Sequence, residues 1–195
     1  MKKYFQPIIF TALVATLAAG CASAPSKFYT LNATAISDGN SAAQYAVAVG
    51  PVTVPAEVDR PQFTVTVAPN LVAIEEFNRW AEPLNDNIAR VVAANLATLL
   101  GTPRVTSVTL ANFNPDYRVA IDIQKFVSVP GRSAQLDAVW VVHQPSANVT
   151  FSGRTTVDEP VTGSGFDALA AAHSRALAKV SRDLAAAIRS EAVTK

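Results

Sequence analysis

Pro83-Leu-Asn-Asp-Asn-Ile-Ala-Arg-Val-Val-Ala-Ala-Asn-Leu-Ala-Thr-Leu-Leu-Gly-Thr-Pro103 reads as one complete helix with its start and stop signals. Leu84, Ile88, Val91, Val92, Leu96, Leu99 and Leu100 recur at three- and four-residue spacing, which gathers them into one stripe. Pro83 suits the first helical position, where its missing N–H is no loss. Gly101 suits a left-handed stop, and Pro103 cannot continue the helix. A helix with a single apolar stripe needs a surface to cover it, and the chain on both sides offers strands.

Upstream, Phe63, Val65 and Val67 alternate with Thr64 and Thr66, Pro69-Asn70 turns the chain, and Leu71–Ile74 returns. Residues 62–75 therefore read as a β-hairpin. Asn78 to Glu82 leads from it into the helix. Further back, Tyr45–Val54 is a strand region interrupted by Gly50-Pro51, which implies an edge or a bulge. Residues 32–43 read as a polar loop, and Phe28–Leu31 as a short strand. Downstream, Arg104–Leu110 reads as a strand and Tyr117–Phe126 alternates cleanly. Pro130-Gly131 then turns the chain into two further strands, Gln135–His143 and Ser146–Thr156. These last three pair most simply as an antiparallel meander. Ser164–Ser190 closes the chain as a long helix with Ser164 and Asp167 at capping-box spacing. Its apolar face holds Leu169, His173, Ala176, Leu177, Val180, Leu184 and Ile188. The order of strands, helix, strands and helix predicts an α+β two-layer sandwich, a mixed or antiparallel sheet with two main helices packed on it.

The front of the chain has a different character. Lys2 and Lys3 precede an uncharged run from Pro7 to Gly20, which ends at Cys21, the single cysteine of the chain. At 1.5 Å rise per residue, a run of about 14 residues is too short to span about 30 Å of hydrocarbon. Its basic, apolar and small-residue sections describe a secretory signal. Leu17-Ala-Ala-Gly-Cys21 resembles a bacterial lipobox, with Ala18 where leucine is commonest. That resemblance implies that Cys21 is the mature N-terminus and carries a diacylglycerol and an N-acyl chain. Ala22 follows it, in place of the aspartate associated with inner-membrane retention, which implies sorting to the outer membrane. The expected organisation is a signal peptide over residues 1–20, a lipidated tether over 21–27 and one periplasmic domain over 28–195.

Charge narrows the function classes. The chain has 16 Lys and Arg against 15 Asp and Glu, a formal charge of +1. Loss of residues 1–20 removes two lysines and turns it to −1. That balance gives no basic footprint for nucleic acid and no polybasic membrane patch. With one cysteine, stability has to come from a core.

Candidate chemistry is sparse. Gly163-Ser-Gly-Phe-Asp-Ala168 matches a dinucleotide-binding pattern, but Glu159-Pro160 stands before it where a βαβ unit would place a strand. Ser164, Asp167 and His173 fall in one helical segment, at offsets that cannot converge as a triad. Two histidines and a lipidated cysteine do not make the usual zinc site. His173, on an apolar stripe, reads as a hydrogen-bonded core histidine. Asn148-Val-Thr150 is a glycosylation pattern without weight in a bacterial lipoprotein. Trp80, beside Arg79 and Glu82, fits either core packing or an interface anchor, since Trp and Arg are enriched in interface hot spots. The expectation is a non-enzyme with no cofactor beyond its acyl chains.

Asp59-Arg-Pro-Gln62 and Asn78-Arg-Trp-Ala-Glu-Pro-Leu84 resemble the ABC-type transport auxiliary lipoprotein family, the PqiC/YmbA-like proteins. Phe28-Tyr-Thr-Leu31, Val49-Gly-Pro-Val52 and Ala171-Ala-His-Ser-Arg-Ala-Leu177 support the resemblance in the same order along the chain. It implies an outer-membrane lipoprotein, facing the periplasm, that serves a lipid transport system. Its partner would be an MCE-domain membrane protein bridging from the inner membrane. The docking surface expected is the region 57–82, with Asp59, Arg60, Arg79, Trp80 and Glu82 as its residues. A scaffold lipoprotein of envelope assembly and a small lipid-binding carrier are the alternatives, and a homo-oligomer stays open.

Overall fold

The computed structural model describes residues 24–193 apart from 38 and 40. Cys21 and the stretch read as a signal peptide lie outside the described residues. The elements, in chain order, are β1 (Lys27–Tyr29), β2 (Val47–Thr53), β3 (Gln62–Ala68), β4 (Leu71–Trp80), α1 (Leu84–Leu100), β5 (Val105–Thr106), β6 (Tyr117–Val129), β7 (Ser133–Gln144), β8 (Val149–Pro160) and α2 (Gly165–Val193). The architecture is α+β, as the sequence predicts, with the strands divided between two sheets.

The larger sheet has the order β5-β2-β6-β7-β8. β6, β7 and β8 form the expected antiparallel meander, while β2 runs parallel to both β5 and β6. The parallel pairs make the sheet mixed. β2 shifts register between Val49 and Val52, where Gly50-Pro51 interrupts it. Along β7, Leu136, Ala138, Trp140 and Val142 are buried, and this face receives α2. The opposite face is polar; there Arg154 holds Asp137 with both guanidinium nitrogens.

Both helices bury their predicted stripes. α1 ends at Gly101, whose φ of 65° is the left-handed stop. Pro83 stands one residue earlier than predicted, as the N-cap with extended ψ rather than as the first helical residue. Trp140 lies flat over Gly153, its partner on β8. A Cβ added at Gly153 would stand 2.2 Å from the ring, so close approach of the indole explains this glycine.

The smaller sheet has the order β1-β4-β3. β3 and β4 are the predicted hairpin, but β4 continues through the charged residues Glu75 and Glu76 to Trp80. β1 adds in parallel, pairing Tyr29 with Trp80, and it begins at Lys27, inside the stretch read as tether. An aromatic cluster joins the two sheets. Phe63 stacks on Trp80 at 4.2 Å, Trp80 meets Phe126 of β6 at 6.1 Å, and Phe166 of α2 contacts Phe63 at 5.2 Å.

Candidate functional site

Three segments converge where β4 runs into α1. The turn after β2 places Asp59, Arg60 and Pro61. The end of β4 places Trp80 and Ala81, and Glu82, Pro83 and Leu84 follow into the helix. Together they line a groove of ≈ 360 Å³. Backbone bonds fix its walls. Trp80 donates its N–H to the Pro61 carbonyl at 2.7 Å, and Ala81 donates to the Tyr29 carbonyl at 2.8 Å. Four of the five predicted docking residues, Asp59, Arg60, Trp80 and Glu82, therefore share one groove.

Arg79 faces the other way. It pairs with Phe28 across β1 and β4, and its guanidinium reaches Glu76 at 3.8 Å. Trp80 is only 5% exposed, so most of its indole packs in the core and one edge floors the groove.

The groove contains an unmet hydrogen-bond donor. The Arg60 Nε is buried and has no acceptor among the described residues. A buried guanidinium N–H without a partner is costly. Glu82 is differently placed, because Asn87 Nδ2 and Arg90 both donate to it.

Asn87 connects the groove to the segment that follows β1. Its Oδ1 accepts the Leu31 N–H at 3.0 Å, and its Nδ2 also donates to the Thr30 hydroxyl at 2.9 Å. Two turns along α1, Asn95 Oδ1 accepts the N–H groups of Thr34 at 3.0 Å and Ala35 at 2.9 Å. From α2, the Ser174 hydroxyl accepts the Asn32 N–H at 3.1 Å. Residues 30–35 are thus a strap laced between the two helices, where sequence reading predicts the end of a short strand at 31 and a polar loop from 32. Asn87 and Asn95 were the available signal: both sit inside the apolar stripe of α1, and both are fully buried. A buried asparagine needs polar partners, and only a nearby backbone could supply them.

The remaining polar core is structural. His173 is fully buried, stacks on Phe126 at 3.8 Å and shares a 2.8 Å hydrogen bond with the Ser128 hydroxyl through Nε2. Burial pushes its imidazole down to about 3, so the ring is neutral at physiological pH. Burial alone would raise the Glu159 carboxyl, but hydrogen bonds from Lys179 and Arg175 hold it below the ordinary range. Those contacts measure 2.6 and 2.7 Å. Among the described residues, no group of three or more His, Cys, Asp and Glu could hold a metal ion, and no helix is long and apolar enough to cross a membrane.

Comparison with known proteins agrees with this architecture. The chain superposes on the crystal structure of an uncharacterised protein with a TM-score of 0.70 and 17% identity, covering 85% of this chain and 99% of that one. Protein XCC0632 from Xanthomonas campestris, of the DUF330 family, gives a TM-score of 0.67 and 20% identity over 82% of this chain and 92% of its own. At these identities the likeness establishes the fold. No curated protein sequence matches the chain. The family model for the ABC-type transport auxiliary lipoprotein component matches residues 29–185, from β1 to the last turns of α2. The chain therefore belongs to the ABC-type transport auxiliary lipoprotein family.

Proposed function

We propose that the protein is a non-enzymatic docking module, held by acyl chains on Cys21 to the periplasmic leaflet of the outer membrane. On this reading it receives the end of an MCE-domain protein that carries lipid between the membranes. The acyl chains are its only attached groups, and the ATPase and permease are separate chains. The observation that carries the docking step is the groove at residues 59–61 and 80–84, where Arg60 Nε is buried without an acceptor beside the edge of Trp80. A side chain or backbone carbonyl of the bridge would fill the groove, and a turn of the Arg60 side chain toward it would give Nε its acceptor. Aromatic floors with a neighbouring arginine are the surroundings in which interface hot spots concentrate. Carboxylates at both ends, Asp59 and Glu82, suit polar partner groups better than an alkyl chain.

In-cell crosslinking of the anchored protein, followed by mass spectrometry, tests this. Capture of an MCE-domain protein through residues 59–61 or 80–84, reduced by Arg60→Ala, is the expected result. Capture of other envelope-assembly proteins alone, while the MCE protein is expressed, would overturn it in favour of a scaffold. Release of Cys21→Ser into the soluble periplasmic fraction is expected of the anchor; retention at high salt would refute it.

A further inference from the structure

The small sheet leaves one face bare. Tyr29 and Trp80, paired across β1 and β4, turn into the core, so Phe28 and Arg79, one residue earlier on each strand, turn outward. Phe28 is 64% exposed. Phe77, Ile74 and Val72 continue the exposed line along β4, past the irregularity where its partner steps from Gln62 to Phe63. Val67 and Leu71, exposed at the hairpin tip, fall out of step with Thr66 and Val72 and lie on the opposite side. The four residues of the line are among the eleven large apolar side chains that are exposed among the described residues. Sequence alone does not separate them from the core, since Val72 and Ile74 read as ordinary strand residues.

The course of the chain says what covers this face. Cys21 is six residues from Lys27, the first residue of β1, and six residues reach about 20 Å at most. The strap bonded to Asn87, Asn95 and Ser174 prevents that reach from growing by peeling of residues 30–35. The tether therefore enters the domain on the small sheet, beside Phe28. Lys27, Arg79 and Glu76 border the face with charges of both signs, as headgroups require. We propose that the outer face of the small sheet, from Phe28 and Phe77 along β4 to Ile74 and Val72, rests on the lipid bilayer into which Cys21 is anchored. This rests on the anchored reading above. The lipid would thus set the orientation of the domain as well as its distance from the membrane.

Acylation leaves no free thiol on the native protein, so a single introduced cysteine can be labelled. The full lipidated chain carrying Val72→Cys, or Ala147→Cys as the control, is labelled with an environment-sensitive fluorophore and reconstituted into phosphatidylethanolamine–phosphatidylglycerol vesicles. Ala147 is exposed in the β7–β8 turn, beside the Tyr117 end of β6, whereas the small sheet packs near Phe126. The expected result is a blue-shifted emission at position 72 that spin-labelled lipid quenches, with neither effect at 147. Equal, water-like emission at both positions, with acyl chains found on Cys21 by mass spectrometry, would overturn the proposal and leave the anchor standing. A blue shift at 72 that lipid does not quench would put a second copy of the chain on this face and overturn the bilayer as its occupant. Absence of acyl chains on Cys21 would overturn the anchor and the proposal with it.

Discussion

Replacing Asn87 separates two accounts of how the strap and the groove are held. The amide orientation is fixed by its partners: Oδ1 faces the Leu31 N–H, so Nδ2 faces Thr30 and Glu82. Asn87→Ala strands the buried Leu31 N–H, which costs about 1–3 kcal/mol, and forfeits donor bonds worth about 0.5–1.5 kcal/mol each. Thr30 and Glu82 can turn partly to water or to Arg90, so the total should fall near 2–4 kcal/mol. That is a large share of a stability of about 5–15 kcal/mol. Asn87→Asp is the sharper variant. It keeps the acceptor for Leu31 but sets a second carboxylate against Glu82 in a buried place. One of the two carboxyls must then titrate well above its ordinary value. A carboxyl with a raised native pKa penalises the fold only while ionised, so the deficit is full near neutrality and shrinks as pH falls toward about 4. Urea denaturation of the unlipidated Cys21→Ser protein at pH 7 and pH 5 reads both effects. Asn87→Asp should be at least as damaging as Asn87→Ala at pH 7 and should recover at pH 5. Wild-type stability of Asn87→Asp at pH 7 would show that acceptance by Oδ1 is the whole role, and would refute the link to Glu82.

Three other outcomes follow from the same geometry. Trp80→Ala removes the ring that stacks on Phe63 and meets Phe126 edge-on and should cost about 3–5 kcal/mol; Trp80→Phe should retain most of the melting temperature, and equal losses in the two variants would contradict the packing role. Gly153→Ala drives a methyl into the Trp140 ring, 2.2 Å away, so overpacking of about 1–3 kcal/mol and an altered near-ultraviolet circular dichroism spectrum are expected; an unchanged spectrum would argue against the contact. Between pH 6.5 and about 3 the unfolded chain binds a proton at His173 that the native ring refuses, so stability should fall with acidification by about 1.4 kcal/mol per pH unit from this group. Its ring resonances should stay unshifted from pH 8 to pH 5, and titration near 6.5 would refute its burial.

The parts of the fold carried by local periodicity were legible. The stripe of α1, the alternation of Phe63, Val65 and Val67, and the run from Tyr117 each match an element of the structure. Long-range pairing was not. Nothing in Phe28–Leu31 says that β1 pairs with β4 in parallel, and nothing in Val47–Thr53 says that β2 lies between β5 and β6. Strand partners distant in sequence are chosen by the whole core rather than by either strand. Arg104–Leu110 overstates β5, which keeps only Val105 and Thr106. The sequence reads Asn78 to Glu82 as a lead into the helix, whereas pairing with β1 and β3 carries β4 on through Asn78 to Trp80. At the candidate site, short motifs named the residues that share the groove. They missed Asn87 and Asn95, whose importance depends on a backbone more than 50 positions away.

Asn87 also ties the proposed anchor to the proposed groove. Its oxygen holds the strap that follows β1, and its nitrogen holds Glu82 at the groove. A pull on the tether enters at Lys27 and passes through Leu31 to the start of α1, where the groove lies. Such a linkage leaves little slack between lipid and docking surface. A flexible leader of the same residues would let the domain tumble, so that the groove faced an incoming partner only part of the time. Binding would then be weakened by the fraction of orientations that could engage. Lacing the strap between the helices spends this ordering entropy on folding, before any partner arrives, which is the general benefit of preorganisation. On this argument the buried asparagines serve docking without touching the partner: weakening the strap should reduce capture by the anchored protein more than by the same variant measured free in solution.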